Sequence, residues 1–92
     1  EVESMNESVI DTAITVTNVA TALPTTALKG RKEIIIYNNS SNTIYIGSST
    51  VTTSSGVPIL PQGSFNDTIT DAIVLYGIAS TGSNSIRVLE FK

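Results

Sequence analysis

Few residues in this 92-residue chain can do chemistry, and the two most reactive side-chain types are missing. There is no histidine and no cysteine. Their absence removes the commonest general base, the commonest metal ligand and the most nucleophilic side chain. Among what remains, Asp67 and Asp71 flank Thr68 and Thr70 in the segment NDTITD. Oxygen-rich spacing of this kind can supply Ca²⁺ ligands, but the ligand count is low. Asn66 and Asp67 are also ordinary turn-capping residues, so the reading is no metal and no cofactor. Lys29, Arg31 and Lys32 form the basic cluster. It reads as a solvated turn tip, the alternative being a pairing with an acidic partner or with the acidic arm of a neighbouring copy. No catalytic residue is assigned, and the expectation is a protein that is not an enzyme.

The aromatic residues are Tyr37, Tyr45, Tyr76, Phe65 and Phe91. A sugar-binding module usually presents an exposed aromatic platform. The plainer reading places most of these rings in the core or at a subunit contact.

The elements that position these residues are strands. Ser, Thr and Asn account for 32 of the 92 residues, and Ile and Val for 20, which favours strands and turns over helices. Charged residues are only 14%, so solubility rests on hydroxyls and amides. Covering such a surface with another protein strips few charges of water. The net charge of −3 is uneven: Glu1, Glu3, Glu7 and Asp11 crowd the first eleven residues without a base. The rest is near neutral and offers no phosphate-neutralising stripe, so no nucleic acid partner is expected. No run is long enough to span a membrane as a helix, and no membrane association is expected.

Residues 1–11 read as an acidic N-terminal arm, mainly extended, with a short helical turn as the alternative. Residues 12–92 read as one β domain. Ile10, Thr12, Ile14 and Val16 share a face of a first strand. Pro24 makes residues 19–28 an edge strand or crossing loop. EIIIYN and TIYIG are the clearest strands, and the loop at residues 39–42 predicts a hairpin between them. Tyr37 then pairs with Ile44 and Ile35 with Ile46. Ile34, Ile36 and Tyr45 form a second apolar face, and these three are the candidate subunit-contact residues. A half-exposed strand pair would alternate apolar and polar, and this one does not.

Residues 48–56 form a hydroxyl-rich loop holding Val51. A short strand at residues 57–60 precedes a Pro-Gln-Gly turn. A weak strand at 65–70, a strong one at 72–80 and a last one at 85–91 complete the set. About seven short strands without an interior helix predict an all-β fold. The expected form is a small antiparallel β-sandwich or jelly-roll-like domain, because a single sheet cannot bury two apolar faces.

The run LKGRKEIIIYNNSSNTIYIGSSTVTTSSGVPILPQGSF, followed by AIVLYGIAS and IRVLE, resembles small β-rich virion proteins of tailed bacteriophages. The likeness lies in the order of the pieces: Gly-Arg-Lys before a strand ending Tyr-Asn-Asn, then a Ser/Asn turn and a Tyr-Ile-Gly strand. A Val-Thr-rich loop, a Gly-Val-Pro step, a Pro-Gln-Gly turn and a Leu-Tyr-Gly-Ile-Ala strand follow. The resemblance spans residues 22–90 and implies a capsid decoration protein, the base of a head fibre or a tail-associated subunit. Its implied partners are other virion proteins and copies of itself in a homo-oligomer on the particle surface. It carries no catalytic residues to assign. The alternative is a carbohydrate-binding or host-adhesion module on a tail or cell-surface protein. A pilin-like or surface-layer subunit is a third reading.

Overall fold

A computed structural model describes residues 8–92 and holds eight strands: β1 (Val9–Val16), β2 (Thr21–Ala22), β3 (Glu33–Asn38), β4 (Ile44–Gly47), β5 (Val57–Ile59), β6 (Ser64–Thr68), β7 (Tyr76–Ile78) and β8 (Asn84–Phe91). They form two four-stranded sheets, ordered β1-β8-β3-β6 and β2-β7-β4-β5, with every pairing antiparallel. The pairs are nested, β1 with β8, β2 with β7, β3 with β6 and β4 with β5. A single long hairpin folded over on itself gives this order, which is the jelly roll.

Period-two patterning explains the layers. Along β8, Asn84, Ile86, Val88 and Glu90 are buried while the residues between them face out. Their neighbours Val16, Ile14, Thr12 and Ile10 on β1 share that face, as the spacing predicts. From the second sheet Ile44, Ile46 and Ile59 point back across the gap, joined by Leu23 and Ala79. Phe65, Ile69 and Leu75 pack around the edge of this core. Burying a side chain such as Ile or Leu is worth about 1.5–3 kcal/mol, so some ten of them carry the domain.

Three expectations are corrected. First, β3 and β4 are not a hairpin. Tyr37 stands opposite Ser64 and Arg87, and Ile44 opposite Ile59. The five residues between them carry the chain from one sheet to the other. The Asn38 amide is buried there and donates to the carbonyls of Asn42 and Ile59, at 2.8 and 2.9 Å. Ser40 Oγ donates to Asn38 Oδ1, and Asn42 Nδ2 donates to Asn84 Oδ1. A polar corner thus replaces the turn. Ile34 and Ile36 consequently face the core and have no exposed surface, so they are not subunit contacts. Tyr45, the third candidate, lies on the opposite side of a different sheet.

Second, residues 9–11, expected in the arm, are part of a strand. Val9, Ile10 and Asp11 belong to β1 and pair with Phe91, Glu90 and Leu89. Residues 1–7, the rest of the expected arm, lie outside the described residues.

Third, the strand expected over 72–80 is confined to Tyr76–Ile78. The segment before it is held by Arg31, which is buried rather than solvated. Its guanidinium donates to the carbonyls of Ile69, Thr70 and Ile73 and to Glu90 Oε2. These bonds replace the ladder that residues 70–73 would otherwise need.

Candidate functional site

The outer face of the second sheet is built from β4, β7, β5 and β2. Alternation puts Ile44, Ile46 and Gly77 inward, and therefore Tyr45, Tyr76 and Ile78 outward. Tyr45 lies in register between Pro58 on β5 and Ile78 on β7. Tyr76 is paired with Gly47 on one side and Ala22 on the other. The result is an apolar, aromatic surface with Tyr45 near its middle. Leu60, two residues beyond Pro58, extends it at the β5 edge, at 64% exposure.

The hydroxyl-rich loop after β4 folds onto one side of this face. Its apolar residue, Val51, is buried, and a Cβ on Gly47 would lie 2.9 Å from Val51 Cγ2. A Cβ on Gly56 would lie 2.7 Å from the Tyr45 Cβ. Glycine at both positions lets the loop lie flat beside Tyr45. Its own polar groups hold it there: Val51 N donates to Ser48 O, and Thr52 Oγ1 and Ser55 Oγ stand 3.1 Å apart.

Charge separates the two sheets. No charged residue occurs in residues 34–66 or 72–86, a span that includes all of β4, β5 and β7. With β2 being Thr21–Ala22, the second sheet carries no charge at all. Cores of protein–protein interfaces are depleted of charge and enriched in tyrosine, because few groups then lose hydration without a partner.

The outer face of the first sheet is mixed. Val9, Asp11 and Ala13 on β1 lie beside Phe91, Leu89 and Arg87 on β8. Glu33, Ile35 and Tyr37 of β3 follow, and then Thr68, Asn66 and Ser64 of β6. A groove of about 420 Å³ opens on its β6 side, lined by Glu33, Ile35, Asn66, Thr68 and Phe91 among others.

The other residues singled out from the sequence are occupied by the architecture. Asp71 accepts a bond from Gly30 N at 2.6 Å, and Asp67 accepts one from Thr68 N. Among the described residues no group of three or more His, Cys, Asp or Glu is placed to hold a metal ion. Among those residues, too, no helix is long and apolar enough to cross a membrane. Phe65 packs against the core, and the Tyr37 hydroxyl donates to Gln62 Oε1.

Sequence reading reached Tyr45 but missed Tyr76, Ile78 and Pro58, which lie beside it only through sheet pairing. It also missed the Arg31–Glu90 ion pair, at 2.7 Å. A signal for Glu90 was present: it has the same parity as Ile86 and Val88, which places a carboxylate on the core face.

No protein-family model matches this chain, and no curated protein matches it.

Proposed function

We propose that the chain is a non-catalytic virion structural subunit, of the capsid decoration or head-fibre type, that attaches through the outer face of its second sheet. The observation that carries the reading is that face: two tyrosines, Ile78 and Pro58 in register on a sheet without a single charge. Its covering strips no charge of water, so apolar burial and the tyrosines act without that opposing cost. The resemblance of residues 22–90 to small phage virion proteins supplies the setting, and the jelly roll is an architecture that viral shells use, although a fold alone never establishes a function.

Particles produced from the genome that encodes the chain, purified and quantified by mass spectrometry, are expected to contain it in a fixed ratio to the major shell protein. Particles that form in its presence and hold none of it would sink the proposal.

A glycan-binding or host-adhesion module is the second reading, favoured by Tyr45 and Tyr76 lying on one outer face. It predicts hits on a glycan array that disappear with Tyr45→Ala and Tyr76→Ala. An array without hits removes it.

A further inference from the structure

The outer face of the first sheet carries a cation and a carboxylate that can complement each other, Arg87 and Glu33, with Asp11 of β1 as a second carboxylate beside Leu89. Arg87 stands opposite Tyr37, Leu89 opposite Ile35 and Phe91 opposite Glu33. All six point away from the core, alternating with the buried Ile34, Ile36, Ile86, Val88 and Glu90. Arg87 and Glu33 therefore occupy opposite corners of a rectangle centred on Leu89 and Ile35. Its sides are about 14 Å along the strands and about 4.8 Å across them. Leu89 is exposed at this centre, and the groove lined by Glu33, Ile35, Asn66, Thr68 and Phe91 opens at the Glu33 corner.

We propose that this face binds a second copy of the chain in a two-fold dimer, with Arg87 of each copy entering the groove beside Glu33 of the partner subunit. A two-fold axis lying in the interface, set across the Arg87–Glu33 diagonal, exchanges the two corners and keeps Leu89 and Ile35 at the centre. It crosses the strands of the two copies at about 40°, close in size to the roughly 30° at which stacked sheets pack. An isologous contact of this kind is favoured where a group finds its complement on the same patch. Here the cation and the carboxylate exchange places, which no unrelated partner is required to match. The guanidinium meets a carboxylate and the ring of Phe91, both groups that favour arginine. Glu33 also has an interaction within its own chain, and a carboxylate's several acceptor sites accommodate a further donor.

This inference deepens the subunit-contact reading above, uses the sheet opposite the attachment face and stands without the particle. The test is sedimentation of the full chain at tens of micromolar and physiological ionic strength. A dimer is expected, with Arg87→Glu weakening it by about a hundredfold or more, because like charges then meet twice per dimer. Glu33→Arg weakens it similarly, and the double variant R87E/E33R restores it. Tyr45→Ser leaves it unchanged. Arg87 is exposed, so an unaltered thermal melt of R87E shows that the loss is one of contact. A monomer, a trimer, or a dimer indifferent to R87E overturns the proposal, as does a double variant that folds and stays monomeric. A chain that dimerises but is missing from particles leaves the dimer standing and removes the virion reading. A monomeric chain found in particles does the reverse.

Discussion

Glu90 lies between Ile10 on β1 and Ile34 on β3, on the side of the sheet that faces the core. A carboxylate there is tolerated because Arg31 Nη1 donates to it at 2.7 Å and Leu28 N donates to the same oxygen at 3.0 Å. Three further guanidinium N–H groups go to the carbonyls of Ile69, Thr70 and Ile73. This pair differs from a simple buried ion pair, which a hydrophobic substitute often replaces without loss. Here the arginine also serves backbone carbonyls that lie outside the sheet ladders. Glu90→Leu is therefore expected to cost about 3–5 kcal/mol, since it strands a buried cation. Urea denaturation measures this directly, and a loss below about 1 kcal/mol would mean that water reaches the guanidinium after all. A domain of this size has total stability on the order of 5–14 kcal/mol, so the substitution removes a large share of it.

At the scale of elements, the corner between β3 and β4 decides the fold. Locally, EIIIYN-NSSN-TIYIG satisfies every rule for a hairpin. What separates hairpin from corner is the partner each strand finds. β3 finds β6 and β8, and β4 finds β5 and β7, because both strands have two apolar faces and each sheet has room for only one inward row. The buried Asn38 amide then serves Asn42 O and Ile59 O at the crossing, and the buried Asn84 amide, which accepts from Asn42 Nδ2, serves Val16 O and Thr81 O beside it. Asn38→Ala removes both donors to Asn42 O and Ile59 O and is expected to destabilise by about 2–3 kcal/mol. Asn39→Ala, at an exposed position with no side-chain role in the corner, is the matching control. Equal stability for the two variants would remove the amide network from the account.

Most of the strand segments were legible. Glu33–Asn38, the later part of Val9–Val16 and Asn84–Phe91 from Ser85 onward follow from alternation and β-branched residues, whereas Val9–Asp11 were expected in the arm. The second-sheet strands were less so, because β2, β5 and β7 are two or three residues long and carry almost no period. Tyr45 is expected on a second apolar face, and in the structure it faces away from Ile44 and Ile46. Its predicted companions Ile34 and Ile36 went to the core, since they lie on another sheet and point the other way.

For the whole molecule, the asymmetry of the two outer faces is the property with functional weight. One is uncharged and aromatic, and the other pairs apolar residues with Arg87, Glu33 and Asp11. A molecule with two such faces can join a neighbour through one and a copy of itself through the other. Tyr45→Asp introduces a charge at the centre of the uncharged face without touching the core, so its melting temperature is expected to stay near that of the parent chain. Its occupancy on purified particles is expected to fall at least about tenfold, the consequence of burying an unpaired carboxylate. Full occupancy of particles by this variant would move the attachment site elsewhere.

By itself the sequence determined that the chain is all-β, with apolar residues on both faces of its main strands. It also determined that reactive side chains are scarce and that charge is absent from its middle. These are properties of residue type and spacing, which a chain carries before it folds. Tertiary structure alone decided which apolar face became core and which became surface. Facing is set by pairing, and pairing joins residues as distant as Val9 and Phe91 through registers that no local pattern encodes.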